Sequence, residues 1–186
     1  MECKVSYGRI HYKIIGEGKP LVILHSMGTD HRAMEVWLEP IFNEVTDYKR
    51  IYVDLPAHGL SRINEDFKGT EQMAANIKEF IQKTLGDETF SLIGMSYGGY
   101  IAQGILDEML EQVEGIALIV PAVHKRTRTL PQKVVLKCDK EMIGDLNQDL
   151  KTAFETLMVI QTKTMLKRFI SEVQPGRELA DQSELA

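Results

Sequence analysis

The chain has 186 residues and a formal net charge of −5, with no basic run of useful length, which argues against a nucleic-acid binder. Its apolar stretches are strand-sized, too short to span a bilayer, and the amino terminus, MECKVSYGRI, lacks the apolar centre of a signal peptide. Cys3 and Cys138 are the only cysteines, and two free thiols in a reducing cytoplasm is the expected state.

Strand-like and helix-like patterns alternate through the first part of the chain. Residues 4–7 and 10–15 read as a hairpin turning at Gly8-Arg9. After the turn GEGKP, residues 21–24 form a short buried strand and 32–42 an amphipathic helix. Residues 50–53 read as strand, followed by a loop over 54–68. Thr70 is positioned to cap a helix reaching Leu85, with Met73, Ile77, Phe80 and Ile81 on its apolar face. Residues 90–93, 97–110 and 116–120 read as strand, helix and strand. The expected fold class is α/β, a doubly wound and mostly parallel sheet with helices on both faces.

The character changes after Pro121. A short extended piece is expected over 134–138. Beyond it Met142, Leu146, Leu150, Phe154, Leu157, Met158, Met165 and Phe169 recur at helical spacing. Packing accounts for most of that stripe; lining an apolar acyl site is the functional alternative. The expected division is an α/β part over 1–122 and a helical part over 123–186.

The stretch FSLIGMSYGGY, residues 90–100, sets one serine between glycines at the end of an apolar run. A serine at a sharp turn from strand to helix is forced into a strained backbone conformation. Side chains two residues before and after it would crowd the turn, and Gly94 and Gly98 remove them. Ser96 then stands above the sheet as a candidate nucleophile, with the Tyr97 N–H free to face a developing oxyanion. The plain alternative is a glycine-rich turn with an incidental serine.

Two further stretches accompany it: LVILHSMGTD at 21–30 and DLPAHGLS at 54–61. In this order and at these separations, the three motifs resemble the α/β-hydrolase family over residues 1 to about 122. The resemblance implies an oxyanion hole of two backbone N–H groups, Met27 and Tyr97, and a structural loop at DLPAHGLS. It places His25 and Ser26 on the substrate side, the His25 ring holding loop backbone. Two departures stand out, Ser26 and Ala57, where the family usually has glycine. Relatives that cleave carbon–halogen bonds or open epoxides use aspartate at the elbow. A serine points instead to acyl chemistry on a small ester, thioester or carbon–carbon substrate. No cofactor is implied, no metal-ligand spacing shows, and no phosphate-cradling loop appears.

A serine hydroxyl needs a base, normally a histidine oriented by a carboxylate, and in this family the order is serine, acid, histidine. Downstream of Ser96 the only histidine is His124, on the loop leaving the strand that ends at Val120. Asp139 is tempting as the acid, yet no histidine follows it. His58 reads as a loop organiser, and His11 and His31 as solvated.

Family members usually carry two further strand–helix units after a helical cap. The expectation is therefore a fragment or shortened relative lacking acid and base, inactive alone, with residues from about 131 onward resembling a partial cap. An edge strand left unpaired at 116–120 predicts dimerisation, element swapping or marginal stability. The expected partner is a small molecule with an apolar portion, with no nucleic acid or membrane. The alternatives are a catalytically inactive relative that binds a small ligand, and an oligomer whose second chain supplies the missing groups.

Overall fold

A computed structural model of the chain describes residues 1–123 and 132–180. β1 (Glu2–Val5) and β2 (Gly8–Ile15) form an antiparallel hairpin. β3 (Lys19–Leu24), α1 (His31–Phe42) and β4 (Tyr48–Val53) follow, then a short β5 (Arg62–Ile63) and α2 (Gly69–Leu85). β6 (Phe90–Met95), α3 (Tyr97–Glu108) and β7 (Val113–Ile119) complete this part. The strands lie in the order β1-β2-β4-β3-β6-β7, with β5 on the first residues of β2. β4, β3, β6 and β7 run parallel, and the β1–β2 hairpin joins them antiparallel through β4.

Successive strand residues point to opposite faces, and β3 shows what this does. Leu21 and Ile23 pack with Met34 and Leu38 of α1 and with Tyr52. Val22 and Leu24 face the other way, into a cluster with Ile77, Phe80 and Ile81 of α2 and Ile101 and Ile105 of α3. A strand apolar on both faces needs a helix on each side. This is the doubly wound arrangement that the alternating pattern predicts. Each such fully buried side chain contributes about 1.5–3 kcal/mol relative to exposure.

The remaining described residues form α4 (Lys140–Gly144), α5 (Gln148–Leu157), α6 (Lys163–Glu172) and α7 (Gln174–Leu179). β8 (Lys137–Cys138) pairs in parallel with β9 (Ile160–Gln161), a two-stranded sheet that helical spacing hides. Ile143, Ala153, Phe154, Leu166 and Phe169 build a third apolar cluster, the two phenyl rings meeting edge to face at 5.4 Å. Met142, Leu146, Leu150, Met158 and Met165 pack against it, so the apolar stripe is mostly packing, although Leu157 is exposed.

Three local expectations change. The hairpin turns at Ser6-Tyr7, before Gly8, because α2 holds that turn. Glu79 accepts the Ser6 N–H at 2.7 Å and Asn76 accepts the Tyr7 N–H at 3.1 Å. Thr70 does not cap α2; the N-cap position is Lys68, and the Thr70 hydroxyl instead meets the Tyr97 phenol at 2.9 Å. β7 begins at Val113, and among the described residues it pairs with β6 alone, which leaves it at the sheet edge. No described helix is long and apolar enough to cross a membrane.

Candidate active site

Strand register brings the three motifs together. Leu24 at the end of β3 is level with Val53 on one side and Gly94 on the other. The loops after β3, β4 and β6 therefore leave the same edge of the sheet, at the carboxyl ends of parallel strands. Open α/β sheets bind ligands at that edge.

Ser96 sits between β6 and α3 with φ 51° and ψ −113°. An L-residue rarely adopts that conformation, which costs on the order of 1–3 kcal/mol. Hydrogen bonds hold it there: the Ser96 N–H donates to the Ile119 carbonyl at 3.0 Å, and the Ser96 carbonyl accepts from Ala122 at 2.8 Å and Tyr100 at 3.1 Å. Both flanking glycines are sterically required. A Cβ on Gly94 would lie 2.6 Å from the Gly98 carbonyl oxygen and the Gly99 Cα. One on Gly98 would collide with the carbonyl oxygens of Leu24 and His25. That close approach seats the loop after β3 against the first turn of α3. Tyr97 is the first residue of α3, so its N–H is one of the amides that a helix start leaves without an intrahelical partner.

The second expected donor, Met27, is oriented by its neighbour. The Ser26 carbonyl accepts from the Thr29 N–H at 3.2 Å, the Thr29 hydroxyl at 2.8 Å and His25 Nδ1 at 2.7 Å. In a planar trans peptide the N–H points opposite to the C=O. With the Ser26 oxygen tied into the turn, the Met27 N–H faces outward from it. The serine that replaces the family's glycine is compatible with this geometry.

His25 is fully buried, and both ring nitrogens serve backbone: Nδ1 donates to Ser26, and Nε2 accepts the Leu55 N–H at 2.9 Å. Burial, then the charge of His58, pulls its pKa down to about 4, so the ring is neutral at pH 7. The ring is a brace between the first two motifs and has no free nitrogen to offer a substrate. His58 is also buried, its Nδ1 donating to the Pro56 carbonyl at 2.8 Å and its Nε2 without a hydrogen-bond partner among the described residues. Burial holds its pKa below the ordinary imidazole value.

Asp54, the first residue of DLPAHGLS, is the hub that sequence reasoning passed over. It is fully buried and accepts four hydrogen bonds. Oδ1 takes the backbone N–H and Nδ1–H of His31, both at 2.8 Å. Oδ2 takes the Nδ1–H of His11 and the N–H of Leu60, both at 2.9 Å. Burial pushes its pKa up, but the bonds and charge of His31 outweigh that and hold the carboxyl well below the ordinary range. His11 and His31 are thus not the solvated residues expected; their side chains are 15% and 11% exposed. Hydropathy could not show this, because the partner is 43 residues from one and 23 from the other.

His124 lies outside the described residues. The other four histidines are engaged with Asp54 or with loop backbone. Asp139 caps α4, accepting the Met142 N–H at 3.1 Å, and is exposed.

Comparison with known proteins agrees with this fold. The Thioesterase domain family matches residues 20–177. The chain belongs to that family, within the α/β-hydrolases. It is similar to an α/β superfamily hydrolase from Oenococcus oeni: 26% identity and a TM-score of 0.85, over 100% of this chain and 68% of that one. It is 26% identical over 161 residues to the pimeloyl-[acyl-carrier protein] methyl ester esterase of Shewanella oneidensis, covering 82% of this chain and 54% of that protein. It is 28% identical over 152 residues to the (E)-2-((N-methylformamido)methylene)succinate hydrolase of Acinetobacter baylyi, covering 78% and 52%. The chain thus spans about half the length of these curated relatives.

Proposed function

We propose that this chain carries the nucleophile and oxyanion hole of a serine hydrolase acting on a small ester or thioester. The observation that carries the reading is the strained Ser96 at the β6–α3 turn, with the flanking glycines sterically required. Strain of this kind, over-determined by surrounding hydrogen bonds, concentrates at functional sites. The similarity to a pimeloyl-[acyl-carrier protein] methyl ester esterase and to an (E)-2-((N-methylformamido)methylene)succinate hydrolase supports carbonyl chemistry.

In this reading Ser96 Oγ attacks the carbonyl carbon and its proton passes to a base. The base and its orienting acid come from outside the described residues. The N–H groups of Met27 and Tyr97 receive the developing oxyanion, each worth about 3 kcal/mol in the transition state. Collapse of the tetrahedral intermediate expels the alcohol or thiol, which takes the proton back from the base. Water then repeats the attack on the acyl-serine and frees the acid. The brace of His25 and the cap contact at Gly176 hold the Met27 loop; a Cβ on Gly176 of α7 would lie 2.7 Å from the Asp30 backbone nitrogen.

The test is labelling with a fluorophosphonate probe, with the adduct located by mass spectrometry. An adduct on Ser96, absent from Ser96→Ala, supports the reading. No adduct on a folded chain, even when supplemented with the residues that complete a full-length relative, would overturn it. Such a result would favour the ligand-binding alternative.

A further inference from the structure

The His11–His31–Asp54 cluster takes no part in the proposed attack by Ser96 and has no assigned task. Its donors come from three separate segments: His11 from β2, His31 from the first turn of α1, and Asp54 from the loop after β4. His11 Nδ1, His31 Nδ1 and the Asp54 carboxylate all lie within 4.8 Å of one another. The two imidazole rings are 5.2 Å apart. Both rings also line an open cavity of about 460 Å³, shared with Tyr12, Ile14, Leu60 and Leu179.

We infer that this cluster is a binding site for a borderline-soft divalent cation such as Zn²⁺, ligated by His11, His31 and Asp54, with water from the cavity completing the shell. Two imidazoles and one carboxylate form a common protein set for such a metal, and the set prefers Zn²⁺, Ni²⁺ or Cu²⁺ to Mg²⁺ or Ca²⁺. The proton balance is simple. Each ring gives up its Nδ1 proton, to its own Nε2 through solvent or, where Nε2 already carries one, to solvent itself, and presents the Nδ1 lone pair to the metal. The two Nδ1–H···O bonds give way to metal–nitrogen and metal–oxygen bonds.

The N···O distances are already near those of a metal site, and the rings turn inward to close the rest of the cluster, whose ligand atoms lie within 4.8 Å of one another. Ligand atoms about 2.0–2.2 Å from a tetrahedral metal sit somewhat over 3 Å from one another, and the present N···O distances are 2.8 and 2.9 Å. The Asp54 carboxylate keeps its bonds from the His31 and Leu60 backbone amides, which fix its plane in the way that outer partners orient metal ligands. Two of the cations around the cavity are neutralised by acids, and the terminal ammonium of Met1 donates to the Tyr12 carbonyl at 2.8 Å. Lys13 is paired with Glu35 at 2.6 Å, and Arg32 with Asp30.

The experiment is calorimetric titration of the whole chain with ZnCl₂ at pH 7.5, repeated for His11→Gln, His31→Gln and His124→Ala. The expected result is one saturable site, weakened at least tenfold by either glutamine and unchanged by His124→Ala, with Mg²⁺ giving no heat. Should the glutamine variants fold poorly, imidazole ¹⁵N spectra of the unaltered chain replace them. Zn²⁺ should then shift the Nδ1 resonances of His11 and His31. No saturable binding, glutamine variants that bind as tightly as the parent, or unmoved Nδ1 resonances would overturn the assignment.

Discussion

Replacing Ser96 by glycine should stabilise the chain, whereas replacing it by alanine should not. The native φ of 51° and ψ of −113° are strained for any residue that carries a Cβ. That strain is on the order of 1–3 kcal/mol. Glycine relieves it, but loses more backbone freedom on folding, about 0.5–1 kcal/mol. The net gain is about 1 kcal/mol. For a chain of this size, that raises Tm by about 2–4 °C. Alanine keeps the Cβ and therefore the strain, so Ser96→Ala should stay within about 0.5 kcal/mol of the parent. Both variants remove the hydroxyl, so their difference reports the Cβ alone. The assay is scanning calorimetry together with urea unfolding, in which the midpoint moves and the slope m stays constant. Equal stabilisation by the two substitutions, or destabilisation by glycine, would refute the idea that the elbow stores backbone strain.

Gly98→Ala should be severely destabilising, by roughly 3 kcal/mol or more, because the new Cβ collides with two backbone carbonyl oxygens, of Leu24 and His25, that cannot swing aside like a side chain. Soluble yield and urea midpoint would show it; a stability equal to the parent's would mean that the two loops are not seated as described. Stability should fall as the solution is acidified from pH 7.5 to 4.5. The folded-state pKa of His25 is lowered from 6.5 to about 4, so its contribution is complete above 6.5 and is lost as pH falls towards 4. That loss is on the order of 2–3 kcal/mol. His25→Gln should flatten the profile; an unchanged slope in that variant would rule out the buried neutral ring as its source. Asp54, whose pKa is depressed, adds a further loss below the ordinary carboxylate range, near pH 4. The β7 edge should drive self-association. Light scattering after size exclusion should show concentration-dependent mass, reduced by Ala117→Lys on the exposed edge, and a dilution-resistant monomer would count against it.

What could be read from the sequence depended on how far apart the interacting residues lie along the chain. The elbow was legible because its causes are local. Gly94, Ser96 and Gly98 lie within five residues, and the strain at Ser96 and the contact of Gly94 with Gly98 and Gly99 belong to one turn, although the carbonyls that Gly98 must clear are those of Leu24 and His25. The same holds for β3, whose apolar residues run unbroken because both faces are covered. The hairpin turn falls earlier than the local pattern predicts because Glu79 and Asn76, more than 65 residues away, decide it. Thr70 looked like a cap for a local reason, yet a hydroxyl on the next helix in space engages it instead. The same physics explains the histidines. Nothing around His11 or His31 marks either as buried, since the carboxylate that draws them inward is supplied by another motif. Asp54 itself looked like an ordinary loop residue. Its four converging donors arise only when β2, α1 and the loop after β4 are folded together. A buried charge satisfied by three separate segments ties the folding of each to the others. Removing that charge should therefore loosen the hairpin, the start of α1 and the DLPAHGLS loop together, rather than any one of them alone.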